Sequence, residues 1–199
     1  YMLDFSRPEV VDHIYNEISA TIEAANMDYM KWDANREMTE VGSLAWPPER
    51  QGEIAHRYIL GVYDLYSRIT KRFPDMLIEG CSAGGGRFDA GILCFSPQIW
   101  TSDITDALDR IKIQYGTSFA YPCSTMGAHV TKNKYGSRHV SVETRAAVAF
   151  AGTFGYELNL DEMPQEELDK IPGQCEFFRK YHHIVDNGDY YRLSSPYED

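Results

Sequence analysis

The chain has no apolar run near the ~20 residues that a membrane-spanning helix needs, and its start shows no secretory leader pattern. Positive charge is scarce: 19 Lys and Arg stand against 30 Asp and Glu, for a net charge of −11. That balance argues against nucleic acid or an anionic membrane as a partner and suits a neutral or cationic small-molecule substrate. The four cysteines, Cys81, Cys94, Cys123 and Cys175, show no CxxC spacing, which argues against a zinc centre. They are also too few for a disulfide scaffold, so reduced thiols in a cytoplasmic protein are expected. No internal repeat, low-complexity tract or long linker is visible. What is present is a 43% hydrophobic content, enough for a buried core. The first residue is Tyr1 rather than a methionine, so the chain reads as beginning inside a longer protein.

Apolar runs and amphipathic stretches alternate along it. Ser6-Arg7-Pro8 reads as a helix start, with proline tolerated in the first turn, and Val10, Val11, Ile14, Ile18 and Ile22 follow at helical spacing. Tyr29 to Trp32 is a strand candidate, and helical periodicity returns from Pro48 to Arg72. Further strands are expected at Met76–Cys81, Gln98–Thr101, Met126–Val130 and Gly155–Leu158. Helices are expected from about Thr105 to Tyr115, over Glu143–Phe150 and over Pro164–Asn187. The last is broken at Pro172-Gly173 and stopped by Gly188. Strand, loop and helix in repetition predict βα units and a parallel sheet, an α/β class. Enzymes of that class place their sites just after the strands, where the polar and glycine-rich residues collect here.

Two strand ends carry the chemistry. In Lys31-Trp32-Asp33-Ala34-Asn35-Arg36 an ammonium, an indole, a carboxylate, an amide and a guanidinium follow one another, and burying them unpaired would be costly. A sugar site uses that mixture: hydroxyl partners, an apolar ring face and a carboxylate for an electron-poor carbon. The run at Gln98–Thr101 leads to a second carboxylate, Asp103. Retaining glycosidases need one carboxylate to attack and one acid to protonate the leaving oxygen. The bland alternative makes Asp103 the cap of the helix near Thr105. Lys31 either binds hydroxyls beside Asp33 or forms a structural ion pair. Asn35 either binds substrate or bonds its own loop. Trp32 and Trp100 either face a sugar ring or build core and wall. The run Cys81-Ser82-Ala83-Gly84-Gly85-Gly86 lacks the Gly-Lys-Ser/Thr ending of a P-loop. Its glycines allow a close backbone approach to a ligand, with Cys81 as a small wall. Arg87 and Asp89 read as a loop brace, and His129 as structural. Tyr121, Glu143, Arg145, Tyr156 and Glu157 are possible supporting groups.

These motifs, Lys-Trp-Asp-x-Asn-Arg at 31–36, Glu-Gly-Cys-Ser-x-Gly-Gly-Gly-Arg-Phe-Asp at 79–89 and Ser-Pro-Gln-Ile-Trp-Thr-Ser-Asp-x-Thr-Asp-Ala at 96–107, resemble the bacterial α-galactosidases of glycoside hydrolase family 36. The likeness continues through 113–118, 124–130 and 152–158, and so covers about residues 1–160 in order. The resemblance implies that the fold is the later half of a (β/α)8 TIM barrel, from about the fourth strand to the eighth. It implies Asp33 as nucleophile and Asp103 as acid/base, with Lys31, Asn35 and Cys81 lining the galactose subsite; Trp32 and Gly84 are further candidate substrate contacts. No metal and no cofactor are implied, and the full-length protein is expected to be a homo-oligomer, often a tetramer, acting on α-galactosides such as melibiose and raffinose.

Two departures stand out: Ala83 fills a position usually held by glycine, and Ala34 one often held by methionine. The family's Asp-Asp-Gly-Trp motif and an arginine shortly before Leu3 would lie upstream of Tyr1. The chain is therefore expected to need the missing half, and the flanking β domains are absent too. Open alternatives are an α-N-acetylgalactosaminidase, a galactosyl-transferring raffinose-type synthase, or an inactive fragment with a structural or sugar-binding role.

Overall fold

Helical spacing of apolar residues and short β-rich runs resolve into six α-helices and five strands in the computed structural model, which describes residues 2–36, 38–132 and 138–198. Two compact units are distinguishable, Tyr1–Ser82 with Asp89–Pro97, and Ala83–Phe88 with Gln98–Asp199.

The first unit holds α1 (Pro8–Ala25), β1 (Tyr29–Asp33), α2 (Ile54–Arg72) and β2 (Leu77–Cys81). Pro8 opens α1, where its missing N–H costs nothing, and Asn26 closes it in the left-handed conformation at φ 49°. The expected helix from Pro48 starts as a 3-10 turn, Pro48–Glu53, before α2 proper begins at Ile54. Tyr58, Val62, Leu65, Tyr66 and Ile69 then form the buried stripe of α2. Leu65 and Ile69 are fully enclosed, each stabilising the fold by about 1.5–3 kcal/mol. β1 and β2 pair in parallel, with Lys31 opposite Glu79 and Asp33 opposite Cys81.

The second unit contains β3 (Gln98–Trp100), α3 (Ala107–Thr117), β4 (Met126–Thr131), α4 (Val142–Ala149), β5 (Thr153–Glu157), α5 (Gln165–Leu168) and α6 (Ile171–Asn187). Its three strands are parallel neighbours, with Trp100 opposite Gly127 and His129 opposite Gly155. Ala128 and Val130 of β4 pack on Val142, Ala146 and Ala149 of α4, and Phe150, Phe154, Tyr156 and Met163 cover this core. β5 begins at Thr153, two residues before the expected start. The C-terminal helical stretch breaks at Asp169 and Lys170, not at Pro172-Gly173. Pro172 instead sits in the first turn of α6, a position that does not require its N–H. Gly188 does end α6, but with φ −85° and ψ 163°, extended rather than left-handed.

Candidate active site

Alternation along β1 divides the Lys31–Asp33 stretch between two faces. Tyr29, Lys31 and Asp33 are exposed, while Met30 and Trp32 are partly buried. On the first face Lys31 Nζ lies 3.4 Å from Glu79 Oε1, and the Glu79 side chain is completely enclosed. Tyr29 donates its phenol proton to the same carboxylate. A buried carboxylate is tolerated only with such partners, so the ion pair that the sequence allowed for Lys31 is realised. In the sequence Glu79 is one residue of the Glu-Gly-Cys-Ser run, with no partner visible there. Its importance rests on the cross-strand register, which a linear sequence does not display.

Asp33 ends the strand as an exposed carboxylate. Asn35 Nδ2 donates to Asp33 Oδ2 at 3.0 Å, a partner that the reading of Asn35 had not considered. The loop after β1 is tied to β2 by Ala34 N–H donating to Cys81 O at 3.0 Å and Ser82 Oγ donating to Ala34 O at 2.6 Å. Cys81 is buried and stands in register with Asp33. Trp32 points to the other face and stacks on Tyr66 of α2 at 4.6 Å. Of its two possible roles, ring platform or wall, it takes the wall. Asp89 accepts from Tyr63 Oη at 2.6 Å and from the Gly91 and Ile92 amides, so it braces its own loop.

In the second unit the glycine run lies against the strand end that carries Asp103. A β-carbon on Gly84 would stand 2.7 Å from Ser102 Cα and 3.0 Å from Asp103 N, and one on Gly85 would stand 2.7 Å from Thr101 O. Only glycine permits this approach, and Gly84 also has φ +82°. Asp103 is exposed and does not cap α3. That role belongs to Asp106, whose carboxylate accepts from the Leu108 and Asp109 amides. The capping alternative for Asp103 is thereby removed, because α3 starts two residues later than expected.

Trp100 is 3% exposed and buried, so it is core rather than a sugar platform. Its ring meets the His129 ring at 4.7 Å, and His129 Nδ1 lies 3.4 Å from Glu157 Oε2. Arg110 of α3, which the sequence reading did not single out, places its guanidinium carbon 4.5 Å from the Trp100 ring centre and donates to Gly127 O at 2.7 Å. Among the other supporting groups, Tyr121 donates to Phe88 O, Arg145 pairs with Glu167, Glu143 with Lys170, and Tyr156 bonds Gln174. No group of three or more His, Cys, Asp or Glu side chains with metal-binding geometry occurs among the described residues.

The structure thus gathers Lys31, Asp33, Asn35 and Cys81 at the ends of β1 and β2, with Trp32 behind them. Separately, it sets Gly84 against the backbone of Asp103. Each group combines an exposed carboxylate with a rigid, hydrogen-bonded backbone, as acid–base or nucleophilic chemistry requires.

The profile of the melibiase family matches residues 1–188. Alpha-galactosidase AgaA of Geobacillus stearothermophilus is 51% identical over 199 residues, covering 99% of this chain and 27% of the relative. A solved structure of a variant of GH36 alpha-galactosidase AgaA from that organism, in complex with stachyose, matches with TM-score 0.95 and 50% identity, over 100% of this chain and 28% of the other. A second variant, in complex with raffinose, matches with TM-score 0.94 and 50% identity, over 98% of this chain and 27% of the other. The chain spans about a quarter of the length of the relatives it matches. Its fold is that of part of a (β/α)8 barrel of the kind these α-galactosidases have.

Proposed function

The chain belongs to the melibiase family, and from that membership we propose that it is the later half of the catalytic barrel of a retaining exo-α-galactosidase. Asp33 is the nucleophile and Asp103 the acid/base. In the first step a carboxylate oxygen of Asp33 bonds to the anomeric carbon of a terminal α-galactosyl group. The glycosidic C–O bond breaks, and the proton of Asp103 passes to the departing oxygen. In the second step Asp103 takes a proton from water, the water oxygen bonds to the anomeric carbon, and the bond to Asp33 breaks. Two inversions at that carbon release galactose with its α configuration.

The observation that carries this reading is the pair of exposed strand-end carboxylates in a chain alike over its whole length to α-galactosidases. A detail of the relatives supports the assignment. The stachyose and raffinose complexes each carry a different substituted aspartate, and those two aspartates stand as many positions apart as Asp33 and Asp103 do here. Asn35, by donating to Asp33, holds that carboxylate in one orientation at the strand end. Lys31, Asn35, Cys81 and Gly84 line the galactosyl side, and Trp32 backs the strand. Melibiose, raffinose and their longer homologues are the substrates. The enzyme works without a metal or cofactor, as a cytoplasmic homo-oligomer, a tetramer by family resemblance, that engages neither nucleic acid nor membrane.

The test is proton NMR of raffinose hydrolysis by the full-length enzyme. The galactose first released is the α-anomer if the reading holds. β-Galactose appearing first would replace retention by inversion, and no release of galactose would remove the activity altogether.

A further inference from the structure

Arg110 is anomalous for a helix residue next to a parallel sheet. It is 3% exposed, and among the described residues no carboxylate lies within ion-pair distance of it. Its Nη1 has no hydrogen-bond partner among them either. A guanidinium buried in this way is costly, and an apolar side chain of similar length would pack at less expense. Burial pulls its pKa down to about 10, an effect partly offset by the charges of Glu157 and Asp103. At neutral pH the group keeps its charge.

What Arg110 does hold is the end of β3. Its guanidinium lies on the face of Trp100, the last residue of that strand, and its Nη2 donates to Gly127 O of β4 at 2.7 Å. Thr101 Oγ1 donates to the same carbonyl at 3.4 Å. Gly127 permits the arrangement, since a β-carbon there would stand 3.0 Å from Trp100 Cε3. Gly84 and Gly85 pack closely on the Thr101–Asp103 backbone. The segment carrying Asp103 is therefore in contact with the glycine run and anchored at its start by the Trp100–Arg110–Gly127 clamp, with a buried positive charge nearby.

We propose that Arg110 is a positioning residue for the proton-transfer step: it locks the end of β3 to β4 and so fixes the backbone from which Asp103 works. The inference rests on the assignment of Asp103 as acid/base. It differs from a purely structural role in one consequence. A misplaced acid slows cleavage of bonds whose leaving group needs a proton, and leaves cleavage of activated aryl galactosides nearly intact.

The experiment compares kcat/KM of the full-length enzyme and its Arg110→Met and Arg110→Lys variants on raffinose and on a chloronitrophenyl α-galactoside, with Asp103→Asn as reference. Displacement of a catalytic group by about 1 Å costs about 100-fold, so Arg110→Met should lose about 100-fold on raffinose and less than about tenfold on the aryl substrate. Arg110→Lys, which keeps the charge but not the planar fork, should fall between. Equal losses on both substrates, or none, while Asp103→Asn shows the leaving-group dependence, overturn the inference and leave the acid/base assignment standing. Absence of that dependence in Asp103→Asn overturns the assignment and the inference together. If Arg110→Met does not fold, Trp100→Phe must show the same selective loss, and a uniform effect there counts against the inference.

Discussion

Gly84 packs against Ser102 so tightly that a β-carbon on the glycine would stand 2.7 Å from the serine Cα. The obstacle is backbone, which cannot swing aside as a side chain could. Gly84→Ala would also force an alanine to φ +82°. Left-handed backbone costs about 1–2 kcal/mol and overpacking about 1–3 kcal/mol, so a total near 2–4 kcal/mol is expected. Urea unfolding of the full-length enzyme measures it, and kcat/KM should fall in parallel because the displaced backbone bears Asp103. A variant of unchanged stability and activity would contradict this packing.

The neighbouring Ala83 makes the opposite case. Its φ of 46° lies in the left-handed region that glycine occupies without strain. Ala83→Gly removes about 1–2 kcal/mol of strain and adds about 0.5–1 kcal/mol of unfolded-state entropy. A net gain of about 0.5–1 kcal/mol is expected, read as a higher urea midpoint at unchanged slope. A lower midpoint would mean that Ala83 is not held in this conformation.

Tyr63 donates to Asp89 at 2.6 Å, and that bond, together with burial and the aspartate's charge, pushes its pKa up to about 12. An unfolded tyrosine titrates near 10. The folded state therefore holds this proton more tightly, and the stabilisation is fully present below pH ~10 and lost as pH rises through ~12. Tyr63→Phe should flatten the loss of stability between these values. Spectrophotometric titration of the phenolates should show one fewer group ionising near 12. An unchanged alkaline profile would contradict the Tyr63–Asp89 bond.

Much of the frame could be read from residue order. Period-two and period-3.6 patterns located β1 to β4 and α1 to α4 to within a few residues, because burial on one face imposes them directly on the sequence. Asp103 and Asp106 show where that reading fails. Both lie near the start of α3, and which one caps it depends on the first helical residue, which is settled by hydrogen bonds to Leu108 and Asp109. Pro172 misled for a related reason, since proline breaks a helix interior but opens a first turn.

Asp33 and Asp103 stand out in the sequence because they sit in dense polar motifs. The contacts around them do not. Glu79 meets Lys31 and Tyr29 only through strand register. Arg110 reaches Gly127 across 17 positions, and in sequence it is one more basic residue on an amphipathic helix. Trp32 and Trp100 had the same two possible roles on paper. Strand alternation and the helices behind them decided between these roles.

The assignment of the two aspartates is tested most directly by azide rescue in the full-length enzyme with an activated aryl α-galactoside. Asp33→Ala should be inactive until azide is added, and the product should then be β-galactosyl azide, formed by a single displacement. Asp103→Ala should give α-galactosyl azide, because azide then attacks the galactosyl–Asp33 intermediate. The reverse pairing of variants and anomers would exchange the two roles, and no azide product from either variant would contradict the double-displacement account.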